Sequence, residues 1–306
     1  MSRSRSDGDA VPMSGERGIR KLLRLTKLMV YGDRQPITRT PAEHGLAFED
    51  VGFAATDGVE LKAWYVPSGA ERGPAVVVVP GWLWNRAGNT AGRVPFVDRD
   101  VDFLPATKAL HDAGFHVLLL DLSNHGASGK RPPLTMGRWE ARDFQGAVAY
   151  LRARKDVDPD RISALGTSAG ANTVMYAIPD SPPVKALLAV QPTRLPVFNR
   201  NFAREVLGPL GPAAARSTDL LYVLLRAPLP SRHNPADVAP LLGATVVQYV
   251  QGTGDPWGDM AIVEEFSSLT PRSLGVLAYP STGRYEGYQY VSNEAAAVAA
   301  FFAANG

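Results

Sequence analysis

Between residues 75 and 304 short β-branched runs give way again and again to stretches of helical periodicity, and few folds accept that rhythm. Ala75–Val79 (AVVVV) is continuous, as suits a central strand covered on both faces. His116–Leu122, Arg161–Leu165, Val184–Val190, Thr245–Val250 and Leu274–Tyr279 repeat the strand signal. Helical patterns over 104–113, 136–154, 169–177, 259–269 and 292–304 alternate with them. The alternation predicts βαβ units: an α/β fold with a mostly parallel central sheet and helices on both faces. Ahead of it, 46–55 and 60–66 alternate around Thr56-Asp57-Gly58, which predicts an antiparallel hairpin. Residues 192–243 break the rhythm with helical pieces at 201–207 and 218–226 and no central strand. An insertion there would lie over the carboxyl ends of the strands, where ligands bind in open α/β sheets, so a helical cap is expected.

Of 306 residues, 45% are hydrophobic and 20% charged, enough to fill the core of one large α/β domain over 46–306. No cysteine is present, which excludes thiolate metal sites, disulfides and a cysteine nucleophile. The five histidines have no metal-type spacing, so no metal is expected, and no phosphate loop or dinucleotide fingerprint occurs. The net charge of +2 sits at the front: residues 1–27 carry seven basic and three acidic side chains, leaving the remainder at 25 basic against 27 acidic. A nucleic-acid partner is therefore not expected. Residues 1–16 are too polar to offset ordering and are read as a disordered tail. Residues 17–45 are read as a basic amphipathic helix (17–30) and linker. Docking of that helix on the body is the expected placement, and peripheral membrane contact is the alternative. No secretory signal or membrane span is legible, so a cytoplasmic, at most membrane-peripheral, protein is expected.

The chemistry is carried by Gly166-Thr167-Ser168-Ala169-Gly170, a G-x-S-x-G entered by a strand and left by a helix. That context puts Ser168 on a sharp turn with small neighbours, its hydroxyl at the strand end beside a helix amino terminus that favours negative charge.

With this elbow, AVVVVPGW, DLSNHGAS (121–128) and GTGDPWG (252–258), the chain resembles the α/β-hydrolase fold family over about residues 46–304. The resemblance implies a serine esterase or lipase-like hydrolase acting on a carboxylic ester or related acyl compound, without a cofactor. Ser168 would be the nucleophile, Asp255 the acid that orients a base, and the backbone N–H groups of Trp82 and Ala169 the oxyanion hole. Trp82 and Trp84 would line an acyl pocket. Arg86 or Asn89 would pin the loop that follows, and the polar stretch 85–103 reads as a lid or binding loop.

One element of the pattern departs. The family's histidine should follow Tyr279-Pro280, yet no histidine occurs after His233, and Arg284 or Tyr285 fills the slot. Arginine stays protonated and is no base. Three outcomes compete: His125 or His233 reaches Ser168 as base, an altered group such as Tyr285 or Glu286 takes the role, or the scaffold binds a small hydrophobic ligand or a partner without turnover. His44, His111 and His116 are assigned no role.

Overall fold

The computed structural model describes residues 18–306. The polar tail 1–16 lies outside the described residues, as does Arg17. The core is an eight-stranded sheet. The hairpin forms as expected, with β1 (Glu49–Ala54) antiparallel to β2 (Glu60–Val66), Ala54 opposite Glu60 across the Asp-Gly turn. The other strands are β3 (Gly73–Val79), β4 (His116–Asp121), β5 (Val157–Thr167), β6 (Ala186–Val190), β7 (Val246–Gly252) and β8 (Ser273–Tyr279). Their spatial order is β1-β2-β4-β3-β5-β6-β7-β8; β2 meets β4 antiparallel, and every later pair is parallel. β4 and β6 are buried from end to end and β3 everywhere but at Pro74, as their apolar runs require of strands with helices on both faces.

Two apolar layers flank the sheet. On one side α3 (Ala141–Ala153), α4 (Ala169–Ala177) and α7 (Met260–Leu269) cover Val77, Leu118 and Ala164. On the other, α2 (Leu104–Asp112) and the terminal α10 (Ala295–Asn305) cover Val76, Val117 and Leu165. Two short helices, α8 (Arg284–Tyr288) and α9 (Tyr290–Asn293), lead from β8 into α10. α3 starts five residues later than its 136–154 periodicity predicts. The Glu140 carboxylate takes the Thr135 and Gly137 amides at 2.9 and 2.8 Å, and Met136 adopts φ 53°, so 135–140 is a tied turn rather than a first helical turn. β5 is longer than the Arg161–Leu165 signal because its polar first half, Val157–Asp160, still extends beside β3.

The stretch 192–243, expected as a cap, holds two helices, α5 (Leu195–Leu207) and α6 (Gly211–Leu224), followed by short 3₁₀ turns. The amino-terminal helix α1 (Gly18–Tyr31) buries Leu25, Leu28 and Val30 and leaves Arg20 and Lys27 exposed. It docks on the body, the expected placement, although Lys21 is buried with its apolar neighbours. The Tyr222 hydroxyl of α6 binds the Leu134 carbonyl and reaches the Met29 carbonyl of α1 at 3.5 Å, joining arm, cap and body.

Residues 85–103 do not form a free lid. Arg86 pairs with the fully buried Asp121 at 2.8 Å, which also takes the Arg86 amide. The Asn89 amide holds Asp98 and the Arg99 carbonyl, and Asn85 donates to the Gln35 and Pro36 carbonyls. The polar residues that suggest a loose loop are the ones that clamp it, because a buried charge must be paired and hydrogen-bonded.

Near this clamp, Asp143 on α3 accepts from the Ser123 amide at 2.7 Å, and burial raises its pKa to about 8 against that bond. The folded protein therefore holds a proton there that the unfolded chain, near pKa 3.9, releases. Stability from this group is full below about pH 4 and falls as pH rises toward 8. Asp143→Asn is expected to flatten that decline. Urea midpoints at pH 5 and 8 check this: an equal drop in wild type and variant would refute it.

Candidate active site

Ser168 joins β5 to α4 at φ 51°, ψ −118°, a backbone region that costs a non-glycine residue of order 1–3 kcal/mol. Its amide is fixed by the Val190 carbonyl at 2.9 Å, and its carbonyl receives the Asn172 amide at 3.1 Å. The two glycines of the motif are steric necessities. A Cβ on Gly166 would lie 2.6 Å from Ala171 Cα, and one on Gly170 would strike the Val79 and Pro80 carbonyls. Gly170 thus lets α4 ride against the end of β3, and Gly81 lies so near that a Cβ there would touch the Ser168 side chain at 3.4 Å. The Trp82 and Ala169 backbone N–H groups donate to no acceptor among the described residues. Trp82 and Ala169 line, with Ser168, a cavity of about 260 Å³ completed by Met136, Asn172, Thr193, Leu195 and Phe198. Of the two tryptophans, Trp82 alone faces this cavity. Trp84 is buried against Phe103, Tyr285 and Tyr288.

The histidine slot is filled by Arg284, the first residue of α8, 4% exposed. One terminal nitrogen of its guanidinium, Nη1, bonds Asp255 Oδ2; the other, Nη2, donates to Thr193 Oγ1 at 2.7 Å and Ser168 Oγ at 3.3 Å. The guanidinium lies 5.1 Å from the Phe198 ring centroid and 5.2 Å from that of Tyr288. Burial works against its charge, but the Asp255 carboxylate overcomes this and holds the Arg284 pKa above its ordinary value. Asp255 stands where the sequence predicts, on the loop after β7. Its Oδ1 takes the Trp257 amide and its Oδ2 the Gln251 side chain and Arg284, so the carboxylate serves a turn and a cation and no imidazole. Asp259, four residues on, caps α7 by accepting from the Ala261 amide.

Neither candidate base meets Ser168. His125 is 2% exposed; its Nδ1 engages the Ser123 carbonyl at 2.9 Å and its Nε2 has no partner among the described residues. Burial lowers its pKa. His233 is 1% exposed rather than on an open loop, with Nε2 on the Met136 carbonyl at 2.8 Å, and burial depresses its pKa to about 4. Met136 lines the Ser168 cavity, so His233 stands behind that wall rather than in it. Among the described residues the serine hydroxyl meets a cation and no imidazole. Tyr285 is buried beside Trp84 and its phenol is pushed up by burial; Glu286 caps its own turn through Thr282 and pairs with Arg99 at 2.6 Å.

Four residues that the sequence reading did not single out belong to this arrangement. Gln191, at φ 49°, donates to the Arg284 carbonyl at 2.9 Å. Thr193 accepts from the guanidinium and is held by the Asn172 side chain. Tyr288, one helical turn from Arg284, is raised to about 12 by burial, against the Arg284 charge and hydrogen bonding with Ser168. Phe198 stacks under the guanidinium. Gln191 and Thr193 follow the carboxyl end of a central strand, where ligand-facing residues concentrate; this signal was available. No cluster of acidic or imidazole side chains able to hold a metal exists among the described residues, and no described helix is long and apolar enough to cross a membrane.

Comparison with known proteins agrees with the fold. The family model described as the alpha/beta hydrolase family matches residues 76–299. The chain is 29% identical over 148 residues to the protein YfhR of Salmonella typhi, covering 48% of this chain and 45% of that protein. It is 27% identical over 195 residues to the alpha/beta hydrolase domain-containing protein WAV2 of Arabidopsis thaliana, covering 62% and 57%. The matches thus span about half the length of these curated relatives. Among solved structures, the Pyrococcus furiosus esterase Pf2001 superposes with a TM-score of 0.66 at 19% identity over 90% of this chain and 97% of that one.

Proposed function

The chain belongs to the alpha/beta hydrolase family, and on that footing we propose that it binds carboxylic esters or related acyl compounds at Ser168 and hydrolyses them slowly, with a guanidinium where the base would be. The observation that carries this reading is the strained elbow at φ 51°, which shares its cavity with Trp82 and Ala169, whose backbone amides have no acceptor among the described residues. The Ser168 hydroxyl attacks the acyl carbon, and the Trp82 and Ala169 amides receive the oxygen that becomes negative. Arg284 Nη2, 3.3 Å from Ser168 Oγ, adds a fixed positive charge at the same place. The serine proton passes to water, because Arg284 has no free lone pair to take it; the tetrahedral adduct then breaks its ester C–O bond, the departing alkoxide takes a proton from water, and a second water cleaves the acyl-serine to the free acid. A site lacking one member of its triad still exceeds water by about 10³–10⁴-fold through oxyanion stabilisation and binding. The cavity of about 260 Å³ is walled by Trp82, Leu195 and Phe198, which suits an apolar acyl group next to the reacting carbon.

A second reading has its own support. The buried Arg284–Asp255 pair consumes the carboxylate that would orient a base, which favours retention of the pocket for binding without turnover. A fluorophosphonate probe separates the two. Slow labelling is expected on the peptide containing Ser168, with weak hydrolysis of a p-nitrophenyl ester that Ser168→Ala abolishes. Folded protein that neither labels nor outpaces the Ser168→Ala variant would leave the binding reading.

A further inference from the structure

Behind the wall of the Ser168 cavity lies a second hollow, partly open to solvent and about 470 Å³ with that opening included, between α1 and the cap helices α5 and α6. Leu22, Leu25 and Met29 form its α1 side; Phe202, Leu207 and Ala215 face them. Phe202 stacks on Phe198 with ring centroids 5.4 Å apart and planes 9° apart, and Phe198 lines the Ser168 cavity. Trp82 meets both rings edge-on, and its indole N–H donates to the Leu28 carbonyl of α1 at 3.2 Å. One pair of rings therefore separates the hollow from the serine, and the tryptophan that lines the serine cavity is tied to the helix that roofs the hollow. Asn199 adds a separate pointer. It is nine-tenths buried, lines the hollow, and its Oδ1 has no donor among the described residues, an arrangement that is costly unless something enters to satisfy it.

We infer that this hollow holds the long aliphatic tail of an acyl compound whose carbonyl sits at Ser168, the chain displacing the Phe198–Phe202 stack and Asn199 Oδ1 accepting from a hydroxyl or water that accompanies it. The reaction at the carbonyl rests on the reading above; binding of the tail does not. The occupant follows from the lining: almost wholly hydrocarbon, elongated between helices, and continuous through two aromatic rings with a cavity too small for a long chain. An aliphatic chain gains by leaving water in proportion to the apolar area it covers there.

The test uses the full chain and cis-parinarate, a fluorescent long-chain fatty acid. Wild type is expected to bind it, and Ala215→Trp, which fills the hollow, to bind at least tenfold more weakly. A diazirine-bearing palmitate should crosslink to peptides within 20–31 and 195–218 of the wild type, which decides the matter if Ala215→Trp does not fold. Unchanged affinity in a folded Ala215→Trp protein would overturn the inference. So would crosslinks confined to Leu220, Val223 and Leu224 on the exposed face of α6, which would assign the chain to surface contact. Tail binding without fluorophosphonate labelling would sink the hydrolytic reading and leave the tail site standing.

Discussion

Arg284→His is expected to speed ester hydrolysis by about 10²-fold, the lower end of what a positioned general base supplies. Arg284 already spans the gap that a catalytic imidazole must span, one nitrogen on Asp255 and another 3.3 Å from Ser168 Oγ. The two terminal nitrogens of a guanidinium and the two ring nitrogens of an imidazole have nearly the same separation. The replacement therefore keeps the relay and adds the missing property, a lone pair near neutral pH. Histidine is shorter than arginine, so the loop 280–284 has to move inward, and the gain stays at the low end for that reason. The accompanying signature is a rate that rises with pH through about 6.5, the ordinary imidazole pKa, and that wild type lacks. Steady-state hydrolysis of p-nitrophenyl butyrate between pH 5 and 9 reads both. A folded variant no faster than wild type, with no such limb, would mean that position 284 is not the place of the base and that the Ser168 assignment loses its main support.

Asp255→Asn is expected to cost about 3–5 kcal/mol of stability, because it strands a guanidinium in the interior. The side chains of Arg284 and Asp255 are 3% and 1% exposed, so water cannot take over from the lost carboxylate. Adding Arg284→Met should recover most of the loss. Methionine fills the space of the arginine stem between Phe198 and Tyr288, and the carboxamide oxygen introduced at position 255 can still accept the Trp257 amide, so no charge remains to be compensated. Guanidinium chloride unfolding of wild type, both single variants and the double variant gives the coupling directly. Additive losses, with the double variant less stable than Asp255→Asn alone, would show that the two groups do not act as a unit. The two experiments pull in opposite directions on one residue: Arg284 stabilises the fold through Asp255 while denying Ser168 a base.

The fold was legible in the sequence because its determinants are local. Runs such as AVVVV and HVLLL declare strands buried on both faces, and the elbow is five consecutive residues whose glycines answer to atoms of the adjoining strand and helix. The family resemblance also pointed to Asp255, Trp82 and Ala169, and to Arg284 or Tyr285 in the histidine slot, before any coordinate. Proximity across the chain was another matter. His125 and His233 were candidates as possible bases, yet one turns to the Ser123 carbonyl and the other to Met136, and burial lowers the pKa of both. The polar composition of 85–103 suggested a lid or binding loop, whereas Arg86–Asp121 and Asn89–Asp98 make it a clamp; composition records polarity but not whether each group finds a partner.

The sequence alone settled the order of strands and helices, the sharp turn that carries Ser168, and the absence of histidine from its family position. Hydrophobic period and glycine placement act over a few residues and need no partner to be read. Only the tertiary structure decided that a guanidinium lies between Asp255 and Ser168, that the amino-terminal helix roofs an apolar hollow behind Phe198, and that two imidazoles face away. Each of those depends on groups far apart in the chain, 116 positions for Arg284 and Ser168, meeting within hydrogen-bond or ring-contact distance, and only packing of the whole chain fixes such meetings.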